Sequence, residues 1–221
     1  MRLSQPFIVM IKKYFNPLLH KKTSWLLLAF LLVSFIASSF KNESAEAVIN
    51  IADQHALKDS MLSKKAFLKV YDVLMSPRCM NCHPSGDVPL QGDESKLHTQ
   101  NVKRGVDGKG MYALKCANCH QPENTEGLNM PPGNPNWHLP PANMKMVFQG
   151  RTPRQLAAQL LNPKTNGNKT TAQLVKHIAE DALVLGGWNP GEGRKLPPMS
   201  HEEFTKQFKL WIDNGAYLPN K

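Results

Sequence analysis

The chain has 221 residues, 27 of them basic and 17 acidic, for a formal net charge of +10, with 17 prolines, 14 glycines and four cysteines. Five of the basic residues and no acid fall in residues 1–40, so the remainder is only moderately basic. With no basic cluster confined to one face and no recognised module, this charge does not point to nucleic acid, and the length allows one ordinary domain plus an appendage.

Residues 1–23 are basic, with a small apolar patch from Phe7 to Ile11, and predict a short cytoplasmic segment. Residues 24–40 are uncharged and strongly apolar. At ~1.5 Å per residue they span about 25 Å, a little less than a bilayer core of roughly 30 Å. That length fits either a transmembrane anchor or the core of a long signal peptide. The long leading segment favours a retained anchor, whereas Ala45-Glu46-Ala47 offers a small-x-small cleavage site. Lysines before the stretch, with Lys41, Glu43 and Glu46 after it, place the N-terminus in the cytoplasm and export the rest. Residues 41–58 read as a polar tether.

From about Ser60 a helix is predicted, since Phe67, Val70, Tyr71 and Leu74 form one apolar stripe. Ser76-Pro77 ends it. Cys79-Met80-Asn81-Cys82-His83 follows, then an irregular stretch, 84–110, containing His98. Met111 to Lys115 leads into Cys116-Ala117-Asn118-Cys119-His120. Residues 121–150 form a Pro- and Asn-rich loop carrying Met130, Trp137 and His138, where repeated proline discourages regular structure. Thr152-Pro153 opens a helix with Leu156, Ala157, Leu160 and Leu161 inward. Thr170-x-x-Gln173 caps a second, burying Leu174, Val175, Ile178, Ala182 and Leu185 up to Gly186-Gly187. Ser200-x-x-Glu203 caps a last helix with Phe204, Phe208, Trp211 and Ile212 inward, closed by Gly215.

The two pentapeptides use every cysteine in the chain. C-x-x-C-H is the attachment signature of haem c. The two thiols form thioethers to one porphyrin, and the histidine becomes the proximal iron ligand. The pattern therefore predicts two covalent haems, on Cys79, Cys82 and His83 and on Cys116, Cys119 and His120. A four-cysteine zinc site is the rival. It does not account for a histidine after each second cysteine, and the gap between the motifs exceeds the ribbon spacing of roughly 15–20 residues. A dithiol redox pair would need a βαβ setting, which the pattern lacks. Export agrees with haem c and with the use of all four thiols.

The motifs begin 37 residues apart, too close for two separate domains of about a hundred residues each. The expectation is one all-α, cytochrome c-like domain, 59–219, with long Pro/Gly-rich loops enclosing both haems. A helix entering the first motif and an aromatic C-terminal helix resemble the class I cytochrome c arrangement. The distal ligands decide the chemistry. Met199, just before the last helix, occupies the class I position, with a packing methionine as the alternative. His98, His177, His138 and Met130 are the other candidates. A solvent-exposed His98, a His177 paired with Asp181, and a hydrogen-bonding His138 beside a packing Met130 are the competing accounts. His20 and His201 read as surface residues.

Five stretches carry a family resemblance: Cys79-x-x-Cys82-His83-Pro84-x-Gly86-Asp87-x-Pro89, the Cys116 motif, Pro135-Asn136-Trp137-His138-Leu139, His177-x-x-x-Asp181-x-Leu183-Val184, and Trp188-x-Pro190-Gly191-x-Gly193-Arg194. From Cys79 to Pro219 the chain resembles small exported di-haem c-type cytochromes of bacteria, often labelled isoquinoline 1-oxidoreductase subunit, which serve molybdenum hydroxylases. The resemblance implies His98 and His177 as distal ligands, with Met199 as the alternative, since the family pattern holds histidine at 98, 138 and 177 but does not require methionine at 130 or 199. Gly186 departs from the family, where tryptophan is usual. The implied function is electron transfer between a periplasmic redox enzyme, a molybdenum hydroxylase, and a respiratory-chain acceptor at the cytoplasmic membrane. The chain would then be an electron carrier rather than an enzyme in its own right. A di-haem peroxidase, with one open iron, is the runner-up. A haem-based sensor would need a signalling module, for which the cytoplasmic segment is too short.

Overall fold

The computed structural model describes Asn50 and residues 53–221. The expected cytoplasmic segment 1–23, the apolar stretch 24–40 and most of the tether lie outside the described residues. Among those described, no helix is long and apolar enough to cross a membrane. Residues 56–221 form one compact unit. Of the described structure, 39% is helical and 5% strand.

Helix α1 covers 53–74. It begins well before Ser60, because residues 53–58 are helical yet exposed, so no apolar stripe marks them. Further along, Ser63, Ala66, Phe67, Val70, Val73 and Leu74 recur at helical spacing and are buried. Helix α6, His201–Asp213, starts at Ser200, whose hydroxyl accepts the Glu203 amide, and buries Phe204, Gln207, Phe208 and Trp211. The two helices meet where Phe67 packs on Trp211, ring centres 4.5 Å apart. Ser63 fastens the crossing: its hydroxyl donates to the Trp211 carbonyl and accepts the Tyr217 amide, both at 2.9 Å. Helix α3, Pro153–Leu161, and helix α4, Thr171–Glu180, each begin in a full capping box, Thr152 with Gln155 and Thr170 with Gln173. Their apolar faces complete the core with Phe148.

The helix expected to run to Gly186 breaks at Asp181, which adopts extended backbone and caps a new short helix, α5, Ala182–Gly186. Asp181 Oδ1 accepts the Leu183 amide at 2.9 Å. The break turns Ala182 and Leu185 outward, and both are exposed rather than buried. A short aspartate at this position competes with the helical backbone for hydrogen bonds, which favours capping over continuation.

Residues 84–110, read as irregular, contain a small ladder, with β1 (Leu90–Gln91) antiparallel to β2 (Lys96–Leu97). A second ladder pairs β3 (Gly110–Met111) with β4 (Leu114–Lys115). Across residues 84–145 the large apolar side chains that are buried are Leu90 and Leu139, whereas Leu97, Val106, Tyr112, Leu114, Leu128 and Met130 are exposed. The segment's own side chains therefore make almost no core. Backbone packing supplies some of the order. Gly108 lies at φ +79°, its carbonyl accepts the Leu139 amide at 2.9 Å, and a Cβ there would stand 1.9 Å from the Leu139 oxygen. Gly108→Ala is expected to lower stability by clearly more than the ~1–2 kcal/mol of left-handed strain alone. Gly150→Ala, also at positive φ but in open space, supplies the strain-only control in chemical denaturation.

Candidate functional site

Ser76-Pro77 ends α1 and starts a one-turn helix, α2, Pro77–Met80, which carries Cys79 and hands on to Cys82. Proline suits this first position because its missing amide is not needed there. His83 follows, and its Nδ1 lies 2.7 Å from the Met146 carbonyl. A carbonyl only accepts, so Nδ1 carries the proton and Nε2 keeps its lone pair. Met146 presents that oxygen from left-handed backbone, φ 48°, an uncommon conformation for a non-glycine residue. Phe148 stacks on the imidazole, 3.9 Å between centres and 7° from parallel, and its amide donates to the His83 carbonyl at 2.9 Å. Burial, opposed by the Met146 bond, pushes His83 down to about 4, so the ring is neutral near pH 7.

The second motif repeats this setting by a different route. Strand β4 delivers a 3₁₀ turn, Cys116–Asn118, then Cys119 and His120. His120 Nδ1 lies 2.7 Å from the Pro132 carbonyl, and Trp137 stacks on the ring at 4.0 Å and 7°. Again the proton is held on Nδ1 and Nε2 is left free. Burial also lowers the His120 pKa. In both motifs, then, one carbonyl fixes the tautomer and one aromatic face fixes the ring plane. That is the support a metal-binding imidazole needs beyond its bond to the metal.

None of the four cysteines is in a disulfide. Burial, reinforced by the neighbouring Cys82, pushes Cys79 up to about 12, and burial raises Cys82 to about 11. Burial raises Cys116 as well. A redox-active dithiol runs the other way, with a lowered pKa that yields a thiolate. Cys82 and Cys116 lie within electrostatic reach of each other.

Two of the remaining candidates lie within reach of the motif histidines. His98, directly after β2, has its ring centre 6.4 Å from that of His120. Its Nδ1 is buried and has no hydrogen-bond partner, an unusual state for a buried ring nitrogen. Burial lowers its pKa. His177, on α4, lies close enough to His83 to disfavour protonation there. Its Nδ1 meets Asp181 Oδ2 at 3.3 Å, so the residue that breaks the helix also orients this imidazole.

The other candidates make these contacts. Met199 is half-buried against the core, and its carbonyl accepts from Trp188 Nε1 at 2.8 Å. His138 bonds the Asn136 carbonyl within its own turn. Met130 is an exposed loop residue. His201, read as a surface residue, is half-buried instead, with Nε2 2.7 Å from the Ile178 carbonyl and its ring against Trp188.

Arg104 escaped notice in the sequence, since a lone arginine in a glycine-rich stretch looks solvated. It is 1% exposed. Its guanidinium donates to the Pro140 and Gly86 carbonyls, with Nε 3.6 Å from Asp87. Its charge reaches both Cys82 and His83. An open cleft of about 690 Å³ lies between residues 124–127 and 188–196 and is lined by Trp188, Arg194 and Leu196. Arg194 is close enough to His120 to lower its pKa further. Comparison with protein-family models, with curated proteins and with solved structures gives no match.

Proposed function

We propose that the chain is a di-haem c-type cytochrome, an electron carrier rather than an enzyme in its own right. The observation that carries this reading is the twin setting of His83 and His120, each with Nδ1–H donated to a carbonyl, an aromatic stacked on the ring and Nε2 free. Cys79 and Cys82 would hold one haem and Cys116 and Cys119 the other, with His83 and His120 as proximal ligands. Bound haem would supply one-electron iron chemistry, while the chain positions the imidazoles and limits water.

Two further observations support the fit. His98 and His120, with ring centres 6.4 Å apart, are close enough that the two imidazoles would hold one iron between them. The reading therefore pairs His98 with His120 and His177 with His83, with Met199 left to packing. Among the described residues no cluster of three or more His, Cys, Asp or Glu gathers as a ligand set. A haem iron asks for only two axial side chains, since the porphyrin fills its other positions. Residues 84–145, with two buried leucines and six exposed apolar side chains, gain the apolar body they lack when a macrocycle lies against them.

The resemblance and the apolar stretch 24–40 extend the reading. The haem domain would work on the periplasmic side of the cytoplasmic membrane, taking electrons from a molybdenum hydroxylase and passing them to a respiratory-chain acceptor. Spectroscopy on the exported protein tests the core of it. Two low-spin haems per chain are expected. His98→Ala and His177→Ala are each expected to turn one haem high-spin and leave the other unchanged. A high-spin ferric signal in the unaltered protein, with peroxide turnover, would favour a di-haem peroxidase instead.

A further inference from the structure

We propose that Arg104 sets the two haem sites apart in potential, holding the site on His83 above the site on His120. This inference rests on the di-haem reading. The guanidinium has no exposed side-chain surface, its Nε has no hydrogen-bond partner, and two of its donors end on the neutral Pro140 and Gly86 carbonyls. Its one carboxylate, Asp87, is 55% exposed, stands 3.6 Å away, and is shared with Lys145 at 2.8 Å. Two cations thus face one solvated anion, and a net positive charge remains inside the protein. A charge in a low-dielectric interior acts far more strongly on its neighbours than one in water.

The other charges near the motifs do not cancel this asymmetry. Arg78, directly before Cys79, pairs with Asp93 at 2.8 Å, with both side chains largely buried, and because Asp93 also faces Arg194 its charge is only partly balanced, which adds to the positive field beside the first motif. Near His120 the guanidinium in reach is Arg194, which is only half-buried and donates to the Asn129 and Pro190 carbonyls. Cys119 of the second motif is exposed, whereas Cys79 and Cys82 are not. Adding one electron to a ferric centre lowers its positive charge by one, so a fixed buried cation favours the reduced form. Solvent around the second motif screens its cation, and burial beside the first leaves Arg104 unscreened.

The test is a reductive titration of the full chain carrying both haems, with dithionite as electron donor and potential mediators. Arg104→Gln is expected to lower the reduction constant of one haem at least tenfold, equivalent to 59 mV for one electron, and to leave the other in place. Asp87→Asn is expected to shift the same wave upward, and Arg104→Lys to leave it near its original position. Trp137→Phe alters only the ring stacked on His120 and identifies the other wave. Should Arg104→Gln fail to fold, Asp87→Asn still tests the sign, because it changes a solvent-facing carboxylate. Waves that stay fixed in both variants, move together, or move at the Trp137-sensitive haem would overturn the proposal alone. Fewer than two haems in the unaltered protein would overturn the di-haem reading as well.

Discussion

If the chain carries two haems as proposed, replacing Cys116 and Cys119 by serine is expected to leave it with one haem and to keep its helical scaffold. The reason lies in how the apolar side chains are shared out. The core joins α1, α3, α4, α6 and Phe148, and the second motif contributes nothing to it. Losing the second haem should therefore leave the helices cooperative and loosen residues 84–145, whose buried large apolar side chains are Leu90 and Leu139. A region with so little apolar burial cannot offset the entropy of ordering its chain, about 1–2 kcal/mol per residue, without help from a bound group. Pyridine haemochrome absorbance counts the haems, and amide hydrogen exchange reads the loosening. The mirror variant, Cys79→Ser with Cys82→Ser, is expected to be worse. Cys79 packs against the helical core, and the His83 carbonyl holds the Phe148 amide, so losing the first haem disturbs both regions. Equal loss of protection in the two variants would contradict this division.

Replacing Trp211 by alanine is expected to cost about 3–5 kcal/mol, the range for truncating a buried aromatic. Trp211 is fully buried and packs against Phe67 at 4.5 Å and Phe208 at 5.2 Å. Its indole Nε1 donates to the Tyr217 carbonyl at 3.2 Å, so truncation also leaves an acceptor unpaired. Against a typical total of 5–15 kcal/mol the loss is large, and its effects do not stay at the crossing. Helix α1 runs from this contact to the turn that presents Cys79, so a loosened crossing should also lower haem incorporation at the first motif. Urea unfolding measures the stability, and Leu210→Ala, at the solvent edge of the same helix, should change it by about 0.5 kcal/mol or less.

Several features of the chain are legible without its fold because they act over a few residues. Both C-x-x-C-H pentapeptides can be read directly, as can the helix starts at Thr152, Thr170 and Ser200, where a hydroxyl meets an amide three residues on. The apolar stripes of α1 and α6 follow from helical period alone. Where a stripe was absent, as in residues 53–58, the helix could not be seen. The approach of Asp181 to His177 is legible from their i+4 spacing, whereas its role as a helix cap is hidden by the apolar residues that follow it.

What surrounds the motif histidines was decided by the tertiary structure. The Met146 carbonyl meets His83 from 63 residues away, and nothing in the spacing of either residue announces it. The same holds for the approach of His98 to His120 and for the burial of Arg104 between carbonyls at 86 and 140. Each depends on loops that close through backbone hydrogen bonds and glycine contacts, as at Gly108 and Leu139, and such contacts leave no periodic trace in sequence. By itself, then, the sequence determined where two C-x-x-C-H motifs lie and which helices can form around them. The tertiary structure decided that His98 comes near His120, which nitrogen of each motif histidine holds the proton, and which charge stays buried beside the first motif, because those are properties of distant chain segments brought into contact.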